Sequence, residues 1–196
     1  KLIEEEKEPF VPPYAEGGEP TFFTEWLEAR DALVSVGLAA VSMLSSSLQL
    51  FLSSWTDRID HGKSLKRTDK KGWLNAYKKI MISFDINLSD CPANWELIEQ
   101  VVLVRNITQH PDNLTDLGIS YSEDYIEKYP SPYFISEKDR LRLEQNEQEI
   151  SWWMMPNIHI DQLKIEELSQ EIEKLCSWLE SEYLTARYGS DYCRNG

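Results

Sequence analysis

Near the middle of the chain, the run Arg105-Asn106-Ile107-Thr108-Gln109-His110 places side chains suited to oxyanion binding and proton transfer within six residues. A guanidinium offers a planar fork of donors that matches phosphate or carboxylate, and an imidazole titrates near neutrality. On an ideal helix five residues at about 100° each leave Arg105 and His110 about 140° apart. Asn106 and His110 are four apart and share a face. Pro111 follows, and a residue before proline is pushed out of the α region, so the helix should end at His110 and leave the ring free to turn.

No other constellation carries comparable chemistry. His61 and His159 have no carboxylate or thiolate at ligand spacing, so no metal is expected. Cys91, Cys176 and Cys193 are odd in number, widely spaced and free of any C-x-x-C pattern, which points away from a disulfide framework and towards a reducing cytoplasm. Phosphate-loop, dinucleotide and serine-hydrolase motifs are missing from the sequence, so no cofactor is expected. The seven tryptophans read as core or interface anchors, because base-stacking platforms interleave aromatics with basic residues.

The elements that must position the motif are mainly helical. A long first helix should begin after a Thr21 or Thr24 cap and run to about Arg58. Thr68 or Asp69 caps a second helix through roughly Phe84, with Trp73, Tyr77, Ile80 and Met81 on its apolar face. Asp90-Cys91-Pro92 breaks the chain before a third helix, from about Ala93 to Gln109, which buries Trp95, Ile98, Val101, Val102 and Leu103 and carries the motif at its end. Between residues 111 and 160 prolines interrupt the pattern. There Arg140-Leu141-Arg142-Leu143-Glu144 alternates at the strand period, and Glu149-Ile150-Ser151-Trp152 could return as a small β-hairpin. A last helix runs from about Asp161, which caps it, to Arg187, with Ile165, Leu168, Ile172, Leu175, Leu179 and Tyr183 on one face and Gly189 as a stop. The expected fold is therefore a bundle of four to five helices with an irregular or hairpin insertion. Residues 1–20, rich in Glu and Pro, read as an extended arm, 21–189 as a single domain and 190–196 as a tail.

Ala32 to Thr56 contains no charged residue, a length that also meets the rule of roughly 20 apolar residues for a membrane span. A soluble core helix is favoured, because Leu33, Val36, Ala40, Leu44, Leu48, Phe51 and Trp55 recur on one face while Ser35, Ser42, Ser45, Ser46, Gln49 and Ser53 share another. The serine-lined side could also pack against a partner copy.

Net charge is −14 with a pI near 4.6, which speaks against a general nucleic-acid coat, since such binding rests on phosphate neutralisation by Lys and Arg. The charge is unevenly spread. Residues 57–82 hold eight cations against three carboxylates, a local +5 that leaves −19 elsewhere. Lys66, Arg67, Lys70 and Lys71 are the candidate residues for guiding a polyanion.

The R-N-x3-H run, on the third long helix of an all-α chain, resembles the HEPN family (higher eukaryotes and prokaryotes nucleotide-binding), with helix order covering residues 22–188 loosely. The resemblance implies a metal-independent RNA endonuclease that acts as a homodimer, with the motifs of two copies facing each other. It implies Arg105 as phosphate clamp, His110 as proton-transfer group and Asn106 as orienting polar group. A toxin or phage-defence effector restrained by an antitoxin or other regulatory protein fits the same resemblance. The alternative from the residues themselves is a non-catalytic helical interaction module, in which Arg105 and His110 would face the protein's own core or a carboxylate.

Overall fold

The uncharged stretch forms the middle of one 37-residue helix, α1 (Phe23–Ile59), in a computed structural model that describes residues 22–59, 65–109, 120–145 and 155–188. The Pro-rich arm, His110, the Glu149–Trp152 return strand and the tail lie outside the described residues. Among the described residues five further α-helices follow: α2 (Trp73–Ser83), α3 (Trp95–Gln109), α4 (Glu123–Lys128), α5 (Glu137–Gln145) and α6 (Gln162–Tyr188). The described residues hold no strand, and a single β-bridge joins Ser120 to Asn157.

The expected division of α1 into an apolar inner face and a serine outer face needs correction. Leu33 and Val36 are 69% and 67% exposed, whereas Ser45 is sealed. The buried edge instead runs Gly37, Val41, Ser45, Leu48, Leu52, Trp55. Its first half is made of small residues because the chain before α6 comes close: a Cβ on Gly37 would sit 2.9 Å from the Cβ of Ile160 and 3.2 Å from its carbonyl oxygen. Further along, the Trp55 indole N–H donates to the Leu179 carbonyl at 3.1 Å, and Arg58 pairs with Glu180. These contacts set α6 parallel to α1, with Ile160 level with Gly37 and Glu180 level with Arg58.

Two apolar clusters share α1, α3 and α6. The first joins Leu48, Leu52 and Trp55 to Tyr77, Ile80 and Met81 of α2, Ile98 and Val102 of α3, and Leu175 and Leu179 of α6. The second joins Val41 to Leu97, Val101 and Val104 of α3, Leu168 of α6, and the segment that carries Tyr121, Phe134 and Ile158. Each fully buried Leu or Met contributes roughly 1.5–3 kcal/mol of transfer free energy. Leu103 and Ile107 pack into the second cluster with Leu38, while Trp95 packs into the first. Hence α3 runs antiparallel to α1.

Two local expectations fail for identifiable reasons. Arg140 to Glu144 is helix, not strand: Ser136 accepts the Asp139 amide at 3.1 Å and returns its hydroxyl to that carboxylate at 2.8 Å, a reciprocal cap that starts α5. Arg140 then pairs with Glu137 at 2.6 Å one turn back. The start of α2 is set by Gly72, whose φ of 100° favours glycine, rather than by Thr68 or Asp69. Asp69 instead accepts the Lys71 amide at 2.9 Å and closes the turn before it. Thr24 lies inside α1 and does not cap it.

The tight edge of α1 makes a clear test. Gly37→Val should destabilise the chain by about 1–3 kcal/mol, the usual cost of overpacking, despite the better helix propensity of valine over glycine. Urea or thermal unfolding followed by circular dichroism measures it, and an unchanged midpoint would show that Ile160 yields freely.

Candidate functional site

α3 is anchored firmly at its start. Asn94 caps it, its side-chain oxygen accepting the Leu97 amide at 3.2 Å. The Asn94 amide donates in turn to Glu171 of α6 at 2.6 Å, a carboxylate placed where the helix dipole is positive. Lys174 donates to the other oxygen of Glu171 at 2.6 Å. The Lys174 hydrogen bond first, then the Asn94 amide, holds the Glu171 carboxyl below its usual range. Next to this anchor the Trp95 indole donates to the Leu88 carbonyl at 3.2 Å, and Lys78 lies 4.4 Å over its ring while pairing with Glu99 at 2.6 Å.

The other end of α3 carries the motif. Val104 is fully buried in the second cluster, and the next residue, Arg105, emerges half-buried. Its guanidinium donates to the side-chain oxygen of Asn106 at 3.0 Å, and the Thr108 hydroxyl donates to the Arg105 carbonyl at 2.8 Å, closing the last turn. The structure thus brings Arg105 and Asn106 together. His110 lies outside the described residues.

Arg105 differs from most of the described arginines in its partner, as does Arg187, which bonds the Tyr183 hydroxyl. Arg58, Arg67, Lys78, Lys79, Arg140 and Lys174 each pair with a carboxylate, as expected in so acidic a chain. Among the described residues Arg105 has no carboxylate partner; one of its five N–H groups goes to a neutral amide oxygen, which leaves donors for an external anion.

The four basic candidates are not a single group. Arg67 is committed to α1, donating to the Ser53 hydroxyl at 2.9 Å and pairing with Asp57. Lys66, Lys70 and Lys71 are exposed. Their segment docks at Ser53, twelve residues and about 18 Å of helical rise along α1 from Val41, the level at which α3 delivers Arg105. Within one chain the lysine segment and Arg105 are therefore separated along α1 by about 18 Å of helical rise.

Comparison with protein-family models, curated proteins and solved structures finds no match for this chain.

A concavity of about 540 Å³ lies away from the motif. It opens between the first half of α3, the 131–137 segment and the start of α6, with Gln100, Tyr133, Arg140, His159 and Lys164 in its wall. Its polar groups are mostly occupied by the fold. Buried Gln100 accepts the Tyr133 amide, and the Tyr133 hydroxyl donates to Glu167. Lys164 donates to the carbonyls of Ile135 at 2.6 Å and His159 at 3.2 Å, and burial lowers its pKa against the pull of Asp161. The pair His159 and Asp161 stands at 3.9 Å on the rim. These groups pin the insertion to α6; a Lys three residues past the helix cap at Asp161 was the signal available for that role. Among the described residues no group of His, Cys, Asp or Glu forms a metal cluster.

The Glu171 anchor implies a pH signature. A carboxyl whose folded pKa is depressed adds stability that is present above its unfolded pKa and is lost as pH falls through the folded value. Glu171→Gln should lower the unfolding midpoint clearly at pH 7 and progressively less as the pH falls through the depressed folded pKa, where the wild-type carboxyl is also neutralised. A loss that stays constant as the pH falls would remove the charge from the explanation.

Proposed function

We propose that this chain is a HEPN-type, metal-independent RNA endonuclease that acts as a homodimer in the cytoplasm. The observation that carries the reading is Arg105: a half-buried guanidinium near the end of the third long helix, fixed by Asn106 and paired with no described carboxylate.

In this reading Arg105 grips the non-bridging oxygens of an RNA phosphate and neutralises the charge that develops on them. His110 takes the proton from the ribose 2′-hydroxyl as its oxygen bonds to phosphorus. The bond from phosphorus to the 5′-oxygen breaks, and the His110 of a second copy protonates the leaving oxygen. The products are a 2′,3′-cyclic phosphate and a 5′-hydroxyl, and no metal enters the balance. Asn106, already bonded to Arg105, orients the fork. A chain of this kind suits a toxin or defence effector held in check by a protein partner. The second reading, a non-catalytic interaction module, is favoured by the exposed apolar side of α1.

Two outcomes test the proposal. Arg105→Ala and His110→Ala should each reduce cleavage of single-stranded RNA in EDTA by about 10²-fold or more while helicity is retained. Wild-type protein that leaves RNA intact under those conditions would falsify the nuclease reading. Because Arg67 is committed to α1, guidance of RNA falls to Lys66, Lys70 and Lys71. Reversing all three to Glu should slow cleavage and flatten its dependence on salt, and an unchanged salt profile would show them to be bystanders.

A further inference from the structure

The cavity between α3, the 131–137 segment and the start of α6 holds polar groups that the fold does not use. Gln100, in its wall, is only 3% exposed, and its side-chain oxygen accepts the Tyr133 amide. Its amide nitrogen has no acceptor among the described residues. Burying such a donor is costly unless something in the cavity accepts from it. Glu96 lies one turn earlier on the same face of α3 and lines the same cavity. Among the described residues it has no cation to pair with.

Helical rise gives the cavity two ends. α3 and α6 run antiparallel, and Glu171 holds the start of α3 at Asn94. Lys164, which bonds the carbonyls of Ile135 and His159, lies seven residues nearer the start of α6, or about 10 Å along its axis. Glu96 is therefore near one end and His159 near the other, with Gln100 and Tyr133 between. Arg140 comes to the second end from the first turns of α5. It gives one N–H to Glu137 at 2.6 Å and keeps further donors. The acid at this end, Asp161, is committed: it accepts the Lys164 amide at 2.9 Å, with the Lys164 ammonium at 3.8 Å and the His159 ring at 3.9 Å. The first turns of α5 and α6 add the positive ends of two helix dipoles.

We propose that this cavity binds a free peptide of two or three small residues, with its ammonium at Glu96, a carbonyl on the Gln100 amide and its carboxylate between Arg140 and His159. Three extended residues span at most about 10 Å, the distance from one end to the other. The volume of about 540 Å³ lies within the range of ligand cavities, roughly 300–1,000 Å³. Buried Leu97, Pro132 and Ile135 supply an apolar floor that small side chains can cover. Simpler ions fit less well. A diamine would meet Glu96 but set its second cation against Arg140 and offer Gln100 nothing. A dicarboxylate would set one acid against Glu96.

The inference rests on the first half of α3 and does not depend on the nuclease reading.

Isothermal titration calorimetry of the full chain with trialanine tests the site, with the Gln100 side-chain amide resonances followed in parallel by NMR. Wild type is expected to bind one trialanine per chain, and those resonances should move. N-acetyl-trialanine and trialanine amide should each bind about fivefold more weakly or worse, since each lacks one charged end. Glu96→Gln should weaken trialanine about fivefold and leave N-acetyl-trialanine unchanged, because that ligand has no ammonium for Glu96 to meet. Glu96 is exposed, so this variant should fold as wild type does. Gln100→Glu keeps an acceptor for the Tyr133 amide and removes the donor; it should weaken trialanine about tenfold or more with helicity unchanged. A wild type that shows neither heat nor resonance shifts at millimolar trialanine overturns the proposal. So does trialanine affinity that Glu96→Gln leaves unchanged. N-acetyl-trialanine binding as tightly as trialanine overturns it too and assigns the site to the C-terminus of a longer chain. Putrescine or succinate binding more tightly than trialanine assigns it to a simple ion and has the same force. RNA cleavage is not a readout in any arm, so failure here and failure of the nuclease reading remain distinct.

Discussion

The bundle depends on how closely the rest of the chain can approach one edge of α1. Gly37, Val41 and Ser45 keep the first half of that edge narrow, and Leu48, Leu52 and Trp55 widen it towards the other end. Where the edge is narrow, the segment before α6 lies against helix backbone at Gly37. Where it widens, α2 is wedged in and Trp55 reaches across to α6. The same geometry dictates what faces outward: with the inner edge committed to small residues over its first half, the large apolar side chains of that half stand on the opposite side.

Charge is distributed under a second constraint. In a chain of −14, a cation left near a carboxylate is captured by it, and most described cations are. These pairs work as fasteners between elements. Arg58 ties α1 to α6, Arg67 ties the stretch after α1 back onto it, and Lys78 ties α2 to α3. At the surface each such pair is worth little on its own, about 0–1 kcal/mol, so their value lies in fixing geometry. Arg105 escapes because Val104 and Ile107 keep its part of α3 against the second cluster, where its near neighbour is Asn106.

The helical period made α3 and α6 readable in sequence, since both alternate buried apolar and exposed charged residues. α1 was readable as a helix but not in its orientation: from residue 32 to 56 no charge marks a wet side, so leucine and serine gave no contrast strong enough to choose a face. α5 was misread because five residues of Arg-Leu-Arg-Leu-Glu fit a period of two as well as 3.6, and the deciding signal, Ser136 with Asp139 three residues on, lay upstream. At the candidate site the adjacency of Arg105 and Asn106 followed from sequence. The capture of Arg67 by Asp57 did not, because it requires the chain to reverse after α1. Whether Arg105 met an acid was equally hidden, being decided by the packing of α3 against distant residues.

The cap that Glu171 places on α3 has a mechanical reading. α3 is clamped at Asn94 by a charged hydrogen bond and an indole, while its far end is held by aliphatic side chains. That clamped root lies some sixteen ångströms from Arg105, roughly eleven residues at helical rise. A polar clamp at one end and close packing at the other leave the helix little room to tilt. The guanidinium therefore projects from a rod braced at both ends.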